Sequence, residues 1–138
     1  MTALVGGTEI AVAPDKMFAL HFADRNRTNY FLVEADRATM PIERASLVQS
    51  SVRKKLLAYH HGHAAKRHTT LWGVSGFRVL TITTSKERIA SMIEVVKKIT
   101  NGKGSNVFLF ADVETLTRND PLTLPWISGK GTMVQLIE

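Results

Sequence analysis

No cysteine occurs among the 138 residues, which excludes disulfide scaffolds and thiolate metal centres together. No apolar run approaches the roughly 18 residues of a membrane span, and no basic N-terminus leads into an apolar stretch, so neither a span nor a secretory signal is expected. Internal repeats are lacking, and glycine gathers only in short loops such as Gly102-Lys103-Gly104. Acids are the minority charge: 12 Asp and Glu stand against 18 Lys and Arg, a formal charge of +6. On so small a body this excess favours a polyanionic partner. What remains is an ordinary globular balance, 44% hydrophobic and 22% charged, which excludes a disordered tail. The expectation is one soluble, cytoplasmic domain over residues 1–138 with no membrane contact.

Hydrophobic spacing gives the element order. Glu9 to Ala13 alternate weakly and stop at Pro14, whose missing N–H suits a strand end. Phe18, Leu20 and Phe22 share one strand face, and Phe31, Val33 and Ala35 repeat the pattern over Tyr30 to Asp36. The polar stretch from Asp24 to Asn29 closes a hairpin between them. After Pro41, the residues Ala45, Val48, Val52, Leu56 and Tyr59 recur at steps of three and four, which predicts a helix of about five turns ending near Gly62. Phe77 to Thr83 and Asn106 to Ala111 read as buried strands. Between them a helix capped by Ser85 presents Ile89, Met92, Ile93 and Val96 and stops at Asn101-Gly102. Met133 to Ile137 adds an edge strand. The fold class is α/β, a mixed sheet flanked by helices in the order βββαβαβ.

Glu34 and Asp36 are separated by Ala35 on a strand, so their carboxylates point to the same face. With the hairpin turn centred between Arg25 and Asn26, Asp15 falls opposite Asp36. Three carboxylates then converge on two adjacent strands, and like charges so close call for a proton or a hard divalent cation such as Mg²⁺. The structural alternative is that these acids are solvated and paired with Arg37 or Lys16.

Pro14-Asp15, a hydrophobic strand, and Glu34-Ala35-Asp36 closing the next strand resemble the core of the PD-(D/E)xK nuclease superfamily, the restriction-endonuclease-like fold. The ordered segments Phe31 to Thr39, Lys54 to Tyr59 and Phe77 to Arg88, with Asp120-Pro121-Leu122 and Pro125-Trp126, are similar to the replication-relaxation family of plasmid replication and mobilisation. The resemblance covers roughly Glu9 to Trp126. It implies DNA as the target, replication or mobilisation proteins as partners, and Asp15, Glu34 and Asp36 as ligands of Mg²⁺, or of Mn²⁺ in its place. The reaction implied is metal-assisted attack of water on a phosphodiester. A lysine is usual two residues beyond the glutamate, where this chain has Asp36; some type II restriction enzymes use a carboxylate there. The absent cation would come from a second metal or from the next helix, where Lys55 and Tyr59 lie one turn apart. Family members often carry a winged-helix region ahead of this domain, and here the first strand begins almost at once, so duplex binding by such a module is not expected. Nucleases of this fold often pair to cut both strands, which makes a homodimer the corresponding expectation, although no motif carries it.

From Arg53 through His68 the chain holds five Lys or Arg and four His with no acid. Arg53, Lys54, Lys66 and Arg67, with Tyr59, are the candidate DNA contacts, able to neutralise phosphates without reading bases. Zinc at His60, His61 and His63 is disfavoured: without cysteine, and with the helix ending at Gly62, the rings do not share a face. Gly102-Lys103-Gly104-Ser105 follows a helix rather than opening one, the reverse of a phosphate loop.

Overall fold

The computed structural model describes residues 2–5, 7–38, 42, 51–73 and 76–137, with backbone only for 2–5, 8, 67 and 70. Strands β1 (Thr2–Val5) and β2 (Thr8–Ala11) form an antiparallel hairpin of their own. The strand expected at Glu9 to Ala13 is thus partly present but stands outside the main sheet. Its Ile10, with Val12 just beyond it, is buried in the helix-side core.

Strands β3 (Lys16–Phe22) and β4 (Arg27–Ala35) pair as predicted, and Phe18 stacks on Phe31 across the ladder with ring centroids 5.1 Å apart. The turn between them spans four residues: Arg25 N donates to Phe22 O, Asn26 N donates to Ala23 O, and Asn26 is left-handed at φ 47°. Asparagine tolerates that conformation better than most residues. The turn is therefore centred between Asp24 and Arg25, with Phe22 opposite Arg27 and Lys16 opposite Val33. Continued by one step, this register sets Asp15 opposite Glu34, which corrects the expected pairing with Asp36. A shift of two positions preserves the face.

Ser51 is extended and caps helix α1 (Val52–Ala64), its hydroxyl accepting from Lys54 N at 3.0 Å. The helix therefore starts at Val52. The predicted earlier turns at Ala45 and Val48 lie outside the described residues. Gly62 does not end the helix but is buried within it, and the left-handed residue is Lys66, at φ 55°, just before the short α2 (Arg67–Trp72). Glycine inside a helix costs about 1 kcal/mol, which the packing of Leu56 and Tyr59 can offset.

Strand β5 (Arg78–Thr83) joins β4 in parallel, and after α3 (Lys86–Ile99) strand β6 (Phe108–Asp112) joins β5 in parallel. The short α4 (Val113–Thr117) follows, and β7 (Trp126–Ser128) and β8 (Met133–Val134) complete the sheet antiparallel. The six-stranded mixed sheet runs β3-β4-β5-β6-β7-β8, an α/β architecture with the last strand at the predicted edge. One core lies between the sheet and helices α1 and α3, around Leu32, Tyr59, Val79, Met92 and Phe108. The other lies on the opposite face, where Leu124, Trp126 and Leu136 cover Phe31, Leu80 and Leu109. The Gly102 to Ser105 loop has a packing role: a Cβ at Gly104 would stand 2.6 Å from Gly129 O, and one at Gly129 would stand 2.5 Å from Ser105 O. Among the described residues no helix is long and apolar enough to cross a membrane.

Candidate functional site

Leu32, Glu34 and Asp36 alternate onto the helix-covered face of β4, and the parallel register places Glu34 beside Thr81. The two acids thus meet α1 and α3 at the ends where β4 and β5 finish, the usual place for ligands in open α/β sheets. Glu34 and Asp36 line one cavity of about 130 Å³ with Lys55, Tyr59, Thr81 and Met92.

Glu34 is only 5% exposed. Its Oε1 accepts from the Tyr59 hydroxyl at 2.5 Å and its Oε2 from Lys55 Nζ at 3.3 Å. Both donors come from the i, i+4 pair singled out on α1. Burial first, then the bond to Glu34 and its charge, with a smaller push from Asp15, hold the Tyr59 hydroxyl protonated far above the usual range. Tyr59 is therefore a permanent donor to Glu34. At 1% exposure it offers no face to a nucleic acid, which corrects its expected role as a DNA contact.

Asp36 is paired with neither Arg37 nor Lys16 but with Arg88 on α3. Arg88 Nε donates to Oδ2 at 2.5 Å and Nη2 to Oδ1 at 3.1 Å, while Thr83 Oγ1 donates to Oδ2 at 2.6 Å. Burial acts to raise the pKa of Asp36, but the Arg88 and Thr83 hydrogen bonds and the Arg88 charge outweigh it and hold the carboxyl below its usual value. Asp15 is exposed, and its Oδ2 accepts from Ala35 N at 2.8 Å. Each of the three carboxylates therefore has protein donors of its own. Among the described residues no three Asp, Glu or His side chains form a group able to hold a metal ion. Mg²⁺ requires near-octahedral oxygen ligands at about 2.0–2.1 Å. A fork of guanidinium N–H groups on Asp36 presents the opposite charge, so in this arrangement Asp36 is engaged by Arg88 and Thr83 rather than open to an ion.

The expected basic residues are distributed from the start of α1 to the start of α2. Lys54 is half-buried near the start and borders a small pocket with Ala13, while Lys66 is exposed at the far end. Arg53 is half-buried, and the side chain of Arg67 lies outside the described residues. Among the described residues the histidines belong to no group of three metal-ligating side chains. Instead His63 stacks on His68 at 5.1 Å, and both meet Phe77 edge-on. Burial first, then the neighbouring charges of His68 and His60, lower the pKa of His63; burial and then His61 lower that of His60. A histidine harder to protonate when folded makes the unfolded chain the better proton acceptor below its ordinary pKa near 6.5. Stability is therefore expected to fall as pH drops from 7 to 5, and His63→Gln should flatten that limb. Urea unfolding at several pH values measures it, and an unchanged limb in the variant would exclude His63 as its source.

Sequence reasoning missed Arg88 and Thr83, which answer Asp36 from positions about 50 residues away. It also missed Arg27 and Arg78, which the parallel pairing of β4 with β5 brings to the same end of the sheet. The only sequence signal for Arg88 is its place three residues after the Ser85 cap, at the start of α3 beside the end of β5. Comparison of the chain with protein-family models, with curated proteins and with solved structures finds no match in any of the three.

Proposed function

We propose that the chain is a DNA-binding module of nuclease-like architecture, serving plasmid replication or mobilisation as the replication-relaxation resemblance implies, in which the acids fasten the sheet to its helices rather than hold a catalytic metal. The observation that carries this reading is the allocation of charge. Glu34 and Asp36 are answered by Lys55, Tyr59, Arg88 and Thr83. Arg27, Lys54, Lys66 and Arg78 have no ion pair among the described residues. Arg27 and Lys66 are exposed at the surface, whereas Glu34 and Asp36 are already bound. Lys54 lies in the first turn of α1 and Lys66 just past its end, so the helix from Lys54 to Ala64 alone sets them roughly 15 Å apart, a length that spans more than one phosphate of a DNA strand.

Fluorescence anisotropy with labelled duplex DNA over a salt series tests the reading. The wild type should bind with an affinity that falls steeply with salt, and Lys54→Ala combined with Lys66→Ala should flatten the slope of log K against log salt by about 2. Asp15→Asn should bind as the wild type does. Binding that ignores salt, or none, would overturn the proposal. The opposition of Asp15 and Glu34, with Lys55 on Glu34, favours a second, metal-dependent nuclease reading, and calorimetry separates the two. The DNA-binding module takes up no stoichiometric Mg²⁺ or Mn²⁺ at millimolar concentration, whereas uptake that disappears in Asp15→Ala would make the nuclease the better account.

A further inference from the structure

We propose that the cleft at the opposite end of the sheet, where β4, β5 and β6 begin, receives a nucleotide of single-stranded DNA. The inference rests on the DNA-binding reading above and deepens it by naming the form of DNA and the place that holds it. The cleft encloses about 610 Å³, within the range of roughly 300–1,000 Å³ typical of small-molecule sites. Among the described residues no carboxylate lines it, although the chain carries 12 acids. Its walls include two arginines, Arg27 and Arg78, and three amides, Asn26, Asn29 and Asn106.

The strand pairing explains how these residues meet. Phe31 of β4 is in register with Arg78 of β5, so Arg27 and Arg78 start four residues apart along the sheet, about 13 Å at the usual rise per residue. At that separation the two guanidinium groups address separate phosphates rather than one. Arg27 is held in place by Asn29, whose Oδ1 accepts from Nε at 3.1 Å, and its terminal N–H groups have no protein acceptor among the described residues. A planar fork of that kind matches phosphate oxygens. Asparagine amides carry both donors and acceptors and can meet the polar edge of an unpaired base. The half-buried ring of Tyr30, on the lining, supplies aromatic surface for stacking.

Watson–Crick edges and stacking faces are open only where the strands are separated, because in a duplex the bases are already stacked and paired. A cleft lined by cations, amides and rings therefore selects unpaired nucleotides, whereas the lysines of α1 contact phosphates of either form. His63 is on the last turns of α1, so the basic line from Lys54 leads to the mouth of the cleft.

The test compares labelled oligo(dT) with a duplex of equal length on the full chain, using Arg27→Ala, Arg78→Ala and Asn106→Ala, with Lys54→Ala/Lys66→Ala as reference. Arg27→Ala and Arg78→Ala should each weaken oligo(dT) binding about tenfold and reduce its salt slope by about 0.7, with a change of less than threefold on duplex. Asn106→Ala should weaken oligo(dT) without changing the salt slope, because it removes no charge. Arg27 is exposed near the hairpin turn, so its variant folds even where Arg78→Ala does not. Oligo(dT) binding unchanged in Arg27→Ala, alongside a loss in the lysine variant, would overturn the cleft and leave the DNA-binding reading standing. Equal losses on oligo(dT) and duplex would show a general phosphate contact and overturn the single-strand assignment. A wild type that binds neither probe would overturn both proposals.

Discussion

Arg88→Met is expected to destabilise the folded chain by about 3 kcal/mol at pH 7, because it leaves the Asp36 carboxylate buried without a charge partner. The side chains are only 15% and 11% exposed for Arg88 and Asp36, and two N–H groups of the guanidinium engage both carboxylate oxygens. For a chain of this size the loss corresponds to roughly 10 °C in melting temperature. The pH dependence distinguishes this from simple loss of packing. In the wild type the pKa of Asp36 is lowered on folding, so the unfolded chain binds more protons in the window between the two values. The pair therefore stabilises above about pH 4 and loses its effect as pH falls through the folded pKa. Once Arg88 is gone, burial is opposed mainly by Thr83, the pKa of Asp36 should rise above that of the unfolded chain, and the sign reverses. Arg88→Met should then gain stability on mild acidification while the wild type does not. Asp36→Asn added to Arg88→Met should recover much of the loss, since a neutral amide carries a far smaller desolvation penalty than a buried carboxylate. Urea denaturation of the three proteins between pH 4 and 8 measures this, and an Arg88→Met variant within 0.5 kcal/mol of wild type at pH 7 would remove the pair from any structural role.

The parts legible in the sequence are those set by local pattern. Alternation of Phe18, Leu20 and Phe22 against Phe31 and Val33 was enough to find β3 and β4 and their shared face, because a period of two survives any even register shift. Ser85 announced α3, and Asn101-Gly102 its end, because capping chemistry is local. The spacing of Lys55 and Tyr59 put both on one side of α1, and both reach Glu34. What failed depended on a balance the pattern does not contain. The turn was misplaced because the left-handed Asn26 decided its centre. The start of α1 was misplaced because Ser51 capped the helix inside a continuous apolar repeat. The partner of Asp36 was hidden because Arg88 reaches it only after α3 docks on the sheet. The nearby candidates Arg37 and Lys16 are closer in sequence, but Lys16 is opposite Val33 rather than Asp36. The basic cleft was hidden for the same reason: Arg27 and Arg78 become neighbours only through a parallel pairing that follows an entire helical crossover.

At Glu34 the two donors are expected to separate structure from function. Tyr59→Phe should cost about 2 kcal/mol, the usual value for a hydrogen bond to a charged group, because the hydroxyl is buried and Glu34 is only 5% exposed. Lys55→Met should cost less than about 1 kcal/mol, because its side chain is 40% exposed, its contact is longer at 3.3 Å, and water screens the pair. Their functional effects should also differ from that of Lys54. The Lys55 ammonium is already held by Glu34, so its removal leaves DNA affinity within about twofold, whereas Lys54→Ala lowers it and flattens the salt slope by about 1. A metal-dependent nuclease requires the reverse. There Lys55 stands beside the attacking water, and Lys55→Met abolishes cleavage while stability and affinity hold. Measuring unfolding, DNA affinity and plasmid cleavage on the same three variants therefore decides what Glu34 is for. A stability loss concentrated in Tyr59→Phe, with no cleavage by the wild type, assigns it to holding α1 on the sheet, and cleavage lost only with Lys55 assigns it to chemistry.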